Sequence, residues 1–516
     1  MTAKPECLLG VDLGTGGCKL TLVDTQGSIV GSSFTEYKTY YPRHGWSEQN
    51  PEDWYQTFLV TIAKLFRETG LQGSNIIALA VDASTHNAVL MGKKGEILRS
   101  CIMWTDQRSV DQVRNLEKRR GGEIFRITYN KVNPTWTLPQ LLWLRENEPA
   151  VMDRVERIFF TKDYLRYRFT GTWETDHIDA QGSMLFDGGR RQWSAELIEE
   201  LKLPLSVFPP IVPPAAIAGR MSAEAARESG LRERTPVVVG TSDTAVENYS
   251  AGAIYPGQGI VKLATAGNVC IMSDGPHPIP KAFNYPHGVG NMWYIMAATN
   301  SCASANRWTR DTLGWWEVDA AALSGKSAFQ LMDEEAAKAP VGSDGLFFHP
   351  YLLGERCPYF DPYLRASFVG ATMSHHRGHF YRAVLEGIAY SLFDAMQVLA
   401  EVGLAFKDLR IIGGGAKSPL WRRIVADVMG MPVMVPKAGD SSFGAALIAG
   451  VGIGLFPDVR TAVERCVQFE EPITPDRENH EKYGRYFAIY RKIHDALAPV
   501  ERLIHETFVA GEGNRA

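Results

Sequence analysis

Leu8-Leu9-Gly10-Val11-Asp12-Leu13-Gly14-Thr15-Gly16-Gly17 is an apolar strand that runs into a glycine turn and carries one carboxylate near its end. Val237-Val238-Val239-Gly240-Thr241-Ser242-Asp243-Thr244 repeats the design far downstream, and Leu409-Arg410-Ile411-Ile412-Gly413-Gly414-Gly415-Ala416 repeats its strand and glycines without the carboxylate. Glycines let backbone turn sharply and approach a ligand closely. Their N–H groups can cradle phosphate oxygens. Asp12 and Asp243 stand where a carboxylate can serve a metal ion or a proton. The combination points to a nucleotide-using enzyme that transfers phosphate.

Around the first segment, Lys19 to Asp24 and Ile29 to Phe34 read as further strands joined by a Gln26-Gly27 turn. Asn50-Pro51 starts a helix, with Asn as cap and Pro in the first turn; Trp54, Phe58, Ile62, Leu65 and Phe66 share a face, and Gly70 ends it. Ile76 to Val81 is a buried strand leading into Asp82, Ser84, Thr85 and His86, and Pro236 to Gly240 is another. Strands alternating with helices predict a largely parallel sheet whose ligands collect at the carboxyl ends. Asp12, His86 and Asp243 all follow such ends. Gly259 to Leu263, the Ala264-Thr265-Ala266-Gly267-Asn268 turn and Val269 to Met272 repeat the opening strand–turn–strand pattern. Either the chain is an internal duplication with a boundary near 250–258, or two common Gly/Thr turns coincide.

The 516 residues are too many for one core, so two domains of roughly 250 residues, or three smaller ones, are expected. A net charge of −4 argues against a nucleic-acid partner. Seven scattered cysteines without a CxxC pair suit reduced thiols in a cytoplasm. No signal peptide is read at the N-terminus, and the longest nonpolar run, Phe443 to Phe456, is too short to span a bilayer. A soluble cytoplasmic protein is expected.

Gly14, Thr15 and Gly16, with Lys19 nearby, read either as a tight hairpin turn or as a phosphate loop. The turn is neither a P-loop nor a dinucleotide fingerprint, because strand-like Leu20, Leu22 and Val23 follow it. Gly414, Gly415 and Ala416 precede a helix with Ser418 as cap, Pro419 in its first turn and Gly430 at its end. Three glycines there can receive a nucleotide or simply pack helix on strand. Asp243 reads as a helix cap that can also act as the base for a sugar hydroxyl. Asp12, inside an apolar strand, needs a partner: magnesium, or a lysine or arginine. His86 with Trp104, Asp106 and Arg108 offers the mixed donors, acceptors and aromatic wall that a hydroxyl-rich ligand needs. His375, His376 and His379 lie in a Ser/Arg/Gly-rich loop and read as surface.

Taken in order, these segments resemble the FGGY carbohydrate kinases over almost the full chain. Gly10-Val11-Asp12-Leu13-Gly14-Thr15 is similar to the family's first phosphate motif, and Trp46 to Trp54 to the stretch before its first long helix in xylulokinases. Pro139 to Leu144, Lys162-Asp163-Tyr164-Leu165 with Thr170-Gly171, Tyr351 to Pro358 and Arg382 to Ile388 resemble successive landmarks. Gly413 to Ser418 with Trp421 resembles the adenosine motif. The resemblance implies an α/β fold of two actin-like ATPase (ribonuclease H-like) domains, 1–253 and 254–516, around a deep cleft. It implies ATP and Mg2+, a small-molecule sugar or polyol acceptor, and lobe closure that keeps water from the γ-phosphate. It places Asp243 as catalytic base, Asp12 and Asp243 near the metal, Thr265 and Gly267 on a second phosphate loop, and Thr85, His86 and Thr244 against the sugar.

The sequence departs from the xylulokinase pattern at Thr244, where Asn is usual, and at Ser84-Thr85-His86-Asn87 in place of Gln-Met-His-Gly. Gln140 replaces a signature lysine, and Ala264-Thr265-Ala266-Gly267 replaces Gly-Thr-Ser-Gly. A ketopentose such as D-xylulose is the expected acceptor, with gluconate or another ketose or polyol left open. An actin- or chaperone-like ATPase and a nonenzymatic sugar sensor are the readings of other classes. No nucleic acid or membrane partner is expected, and a homodimer is left open.

Overall fold

The computed structural model describes residues 4–509. Its chain divides into two compact α/β units. The first comprises Met1–Ile254, Asp274–Tyr294 and Ala438–Gln468, and the second Tyr255–Ser273, Ile295–Lys437 and Phe469–Ala516. The chain thus changes unit near the expected boundary, but two later segments return to the first unit.

The first unit is built on a six-stranded sheet in the order Ile217–Arg220, Pro236–Ser242, Ile76–Ala83, Cys7–Leu13, Gly17–Asp24, Ile29–Glu36. Pro236–Ser242, Ile76–Ala83 and Cys7–Leu13 run parallel, and antiparallel strands flank them. The parallel strands are apolar on both sides, which predicts cover on both faces. One cover is the Pro51–Thr69 helix. Asn50 Oδ1 accepts from Glu52 N–H, Pro51 opens the helix, and Gly70 closes it at φ 68°. Trp54, Tyr55, Phe58, Ile62 and Leu65 are its buried stripe.

The other cover is Ser441–Gly452, the apolar run from late in the sequence. It reaches the sheet only because of glycine. A Cβ on Gly10 would stand 1.7 Å from the Ser442 carbonyl oxygen, and one on Gly444 2.1 Å from that of Val246. Beside the Pro51–Thr69 helix, Thr161–Thr170 carries Lys162 and Arg166 fully buried. Lys162 Nζ lies 2.5 Å from Asp163, 3.2 Å from Asp176 and 3.1 Å from Asp179, so the buried charges compensate one another.

The second six-stranded sheet has the order Phe283–Pro286, Trp293–Ala298, Gly267–Ser273, Gln258–Leu263, Asp408–Ile412, Val433–Met434. Its opening strand, Gln258–Leu263, is antiparallel to the next strand and parallel to Asp408–Ile412, which is parallel in turn to Val433–Met434. The first sheet connects Cys7–Leu13, Gly17–Asp24, Ile76–Ala83 and Pro236–Ser242 in the same way. Behind the second sheet lies Arg377–Glu401, 25 residues long. It is long and apolar enough to cross a membrane, yet 83% of its most apolar window is buried within the protein. Among its buried charges, Arg382 Nε donates to Glu386 at 2.8 Å, and Tyr483 Oη donates to the same carboxylate at 2.8 Å. All seven cysteines are buried, and Cys7, Cys18, Cys101, Cys302 and Cys466 are thiols.

Candidate active site

In the first unit the parallel strands deliver carboxylates to one edge of the sheet. Asp12 and Asp82 are register partners on adjacent strands, and Thr241 is the partner of Asp82 on the third. Register partners in a parallel pair share a face, so the two carboxyls stand side by side. The Pro236–Ser242 strand shifts register between Val238 and Thr241. Gly240 makes this shift at φ 77°, where a Cβ would lie 1.8 Å from the Val81 carbonyl oxygen.

Ser242 rather than Asp243 caps the following helix, its Oγ accepting from Ala245 N–H at 3.3 Å. This corrects the expectation of an aspartate cap. Asp243 is instead the first residue of the helix, and its Oδ1 accepts from the backbone N–H (2.6 Å) and hydroxyl (3.3 Å) of Thr244.

These carboxyls repel one another. Burial, then the charge of Asp243, pushes Asp12 up from 3.8 to about 7, and burial with the charge of Asp12 pushes Asp82 well above its ordinary value. Asp12 Oδ1 and both Asp82 oxygens are buried and meet no hydrogen-bond donor among the described residues. The lysine or arginine partner considered for Asp12 is not found among the described residues. Lys19 Nζ is held by Asp440 at 2.8 Å.

Gly14 to Gly17 form the expected tight turn, with Gly14 N–H donating to the Gly17 carbonyl at 3.0 Å. A Cβ on Gly16 would meet nothing within 4 Å, so this backbone faces open space. Trp104 Nε1 donates to Thr15 Oγ1 at 3.0 Å, and Gln49 Nε2 donates to the Thr15 carbonyl at 2.8 Å. Trp104 is itself placed by Asn87, whose buried Oδ1 accepts from Trp104 N–H at 2.7 Å. His86, which precedes Asn87, is at φ 76° with its Nδ1 on the Gly182 carbonyl. Burial lowers its pKa from 6.5 to about 4, so it is neutral. Its ring lies 4.6 Å from Trp136, and Nε2 faces the Tyr285 hydroxyl at 3.4 Å. Trp136, Tyr285 and Tyr294 continue as a stack, at 5.7 and 5.2 Å. Thr85 lies beside the same Gly182.

Asp106 is held differently from its neighbours. Its oxygens accept from Ser47 N–H (2.6 Å) and from Arg108 N–H, Nε and Nη2 (2.8, 2.9 and 2.8 Å). These bonds make it the clasp of the 104–108 loop.

In the second unit, Cys302 and Ser304 N–H donate to the Thr265 carbonyl at 3.1 and 3.2 Å. Arg307 Nη2 donates to Thr265 Oγ1 at 3.2 Å. The 264–267 turn is thereby fixed at the start of the Ala303–Leu313 helix. In the glycine triplet, Gly413 at φ 92° would put a Cβ 2.6 Å from the Leu263 carbonyl oxygen, and Gly415 would strike Trp421 at 2.5 Å. Those two pack helix on strand. A Cβ on Gly414 meets nothing within 4 Å, which leaves its face and that of the adjacent Ala416 turn for a ligand. Ser418 Oγ caps the Pro419–Met429 helix and Gly430 closes it.

His376 is exposed and His375 half-buried, but His379 is buried rather than at the surface as expected. His376 and His379 form a reciprocal cap on the Arg377–Glu401 helix, and His379 Nε2 meets Asp344 at 3.1 Å. The described residues contain no group of three His, Cys, Asp or Glu set to hold a metal. Sequence reasoning passed over Asp82, which it read only as the residue a strand leads into. The signal was there: like Asp12, it is a carboxylate in a buried apolar strand. It also passed over Glu355, which burial pushes to about 7 and which accepts from Asn300 and Arg356 N–H at 2.7 Å each.

Residues 7–249 match the N-terminal domain, and residues 265–453 the C-terminal domain, of the FGGY family of carbohydrate kinases. A xylulose kinase from Staphylococcus epidermidis is 30% identical, over 95% of this chain and 96% of its own. The solved structure of a xylulose kinase from Rhodospirillum rubrum superposes with a TM-score of 0.86 at 28% identity, covering 96% of this chain and 100% of that one. A gluconate kinase from Lactobacillus acidophilus superposes at 0.87 with 26% identity, covering 96% and 99%.

Proposed function

Because the chain belongs to the FGGY family of carbohydrate kinases, we propose that it transfers the γ-phosphoryl group of ATP to a hydroxyl of a ketopentose such as D-xylulose. The observation that carries this reading is the set of carboxylates at the edge of the first sheet. Asp243 is fixed by Thr244 at a helix start, half-buried, within range of the charge on Asp12. Phosphoryl transfer passes through a loose transition state, so a base mainly orients the acceptor hydroxyl and takes its proton late. Asp243 suits that task. Neutral His86 offers Nε2 to a sugar hydroxyl; Thr85 precedes it, and Trp104 is bound to Asn87, which follows it. Thr244 spends its hydroxyl on Asp243 and contributes to the sugar through that carboxylate.

The backbone N–H groups of Gly14, Thr15 and Gly16 are assigned to phosphate, with Thr265 and Gly267 supplying a second turn of the same kind. Lys19, bound to Asp440, acts through its charge. Gly414, Gly415 and Ala416 are assigned to adenosine. The unpartnered Oδ1 of Asp12, with Asp243 near it, fits a divalent cation, which would supply charge neutralisation for the phosphates. Such an ion would keep several waters, as Mg2+ prefers. The buried thiols of Cys7, Cys18, Cys101, Cys302 and Cys466 support a reducing, cytoplasmic setting.

Gluconate is the second acceptor to weigh. The gluconate kinase fold superposes as well as the xylulose kinase fold, and Thr244 stands where the ketose-binding pattern has Asn. A coupled ADP-release assay over pentuloses, hexuloses, polyols and aldonates decides between them. D-xylulose is expected to stimulate ADP release most strongly. Asp243→Ala is expected to lower turnover by at least ~10²-fold. ADP release indifferent to any sugar, or near-normal turnover in that variant, refutes the proposal.

A further inference from the structure

Asp82 has no task in the mechanism above, and it occupies an expensive position. It is fully buried, and neither of its carboxylate oxygens meets a hydrogen-bond donor among the described residues. Its register partner is Asp12, whose Oδ1 is also buried and unpartnered. An unpaired buried carboxylate is costly, and two adjacent ones are worse. The surroundings add to the problem. Asp243, Glu247 and Asp440 all press on Asp12 with negative charge, and the nearby cation, Lys19, is bound to Asp440 at 2.8 Å.

We infer that Asp82 is a second protein ligand of the divalent cation, holding it together with Asp12 at the carboxyl ends of two parallel strands. This rests on the kinase reading of the site and adds a residue to it. Three orphaned oxygens from two neighbouring strands make a concentrated, hard-oxygen donor set, the kind that Mg2+ and Mn2+ prefer. A proton shared by the two carboxyls is the competing solution. It would make one O–H···O bond and leave the remaining orphan oxygen as it is. It would also cancel only one of the pair's two negative charges beside Asp243, Glu247 and Asp440, whereas a dication cancels both.

The test titrates Mn2+ into the full chain, without nucleotide or sugar, and reads free Mn2+ by electron paramagnetic resonance. Wild type is expected to bind one ion, and Asp82→Asn to bind it at least ~10-fold more weakly. Asp82→Asn keeps the shape and removes a repelled charge, so its melting temperature in EDTA is expected at or above that of wild type. MgCl2 should raise the melting temperature of wild type and not that of the variant. Should the amide fail to fold, Asp82→Ser takes its place in the same titration. Unchanged Mn2+ affinity in a folded variant, or no Mn2+ uptake by wild type at millimolar ion, overturns the assignment in favour of a shared proton. Because no sugar is present, failure here is separate from failure of the kinase reading, which sugar-dependent ADP release decides.

Discussion

Asp12→Asn should make the metal-free protein more stable, and increasingly so as the pH rises. The carboxyl of Asp12 is pushed from 3.8 to about 7 by burial and by the charge of Asp243. Below pH ~4 it is protonated whether the chain is folded or unfolded, and it costs nothing. Between about 4 and 7 the unfolded chain releases the proton while the folded chain keeps it, so stability falls as pH rises. Above 7 the cost is complete. Three units of pKa correspond to about 4 kcal/mol at 1.36 kcal/mol per unit. The first unit has roughly 300 residues, so its unfolding entropy is about 0.6 kcal/mol/K and the shift amounts to ~6 °C. The asparagine amide is neutral throughout and escapes this penalty.

The assay is thermal unfolding of wild type and variant in EDTA at intervals from pH 4 to 8, followed by circular dichroism. The gap in melting temperature is expected to open from near zero at pH 4 to ~6 °C at pH 8. MgCl2 should close it from the wild-type side by supplying the missing counter-charge. A gap that stays constant across the range, or a variant that melts below wild type at pH 8, would refute the electrostatic account of this site.

Gly10→Ala drives a methyl into the Ser442 carbonyl and Ala446 N–H, both backbone and unable to yield; a loss of at least ~3 kcal/mol is expected in urea unfolding. Gly413→Ala and Gly414→Ala should separate packing from binding. The first strains a residue at φ 92° and lowers the melting temperature, while the second leaves it unchanged and raises the KM for ATP, so equal melting losses would count against the assignment. His86 has its pKa lowered from 6.5 to about 4, so the folded state binds fewer protons and loses stability as pH drops through that window. His86→Gln should therefore be less acid-sensitive in thermal unfolding between pH 6.5 and 4, with a raised KM for sugar; an unaltered acid dependence would contradict the buried neutral imidazole.

What the sequence made legible was local. Asn50-Pro51 and Gly70, and Ser418-Pro419 and Gly430, mark two helices to the residue, because caps, proline and left-handed glycine act within a few positions. The strand–turn–strand openings were legible for the same reason. What required the third dimension was pairing. Nothing near Asp82 in the chain says that Asp12 lies beside it; only the parallel register does. The same holds for Ser441–Gly452, whose return to the first sheet depends on the bare backbone of Gly10. Ser242 and Asp243 are adjacent and both able to cap, so their sequence could not choose between them. The choice came from the geometry that brings Ser242 Oγ to Ala245 N–H and leaves Asp243 inside the helix. Asp106 read as a ligand-facing acid because its type was visible and its engagement by Arg108 was not.

The two sheets share one connection pattern and differ in what they carry at equivalent points. In the first, the opening strand presents Asp12 beside Asp82; in the second, the opening strand presents Lys262, whose register partner on the parallel neighbour is Ile412. The hairpin turns differ too. Leu13 pairs with Cys18 in the first sheet, and Leu263 pairs with Gly267 in the second, a turn one residue shorter. A lysine in place of an aspartate cannot hold a cation, and isoleucine in place of the second aspartate removes the repulsion that would demand one. Each opening strand nevertheless runs into a glycine-containing turn, whose N–H groups need no particular side chain to meet an anion. At these equivalent points the buried acidic pair stands only in the unit that also carries Asp243. The difference has an energetic side: a backbone cradle is cheap to keep twice, whereas a buried acidic pair is costly unless a cation or a shared proton neutralises it.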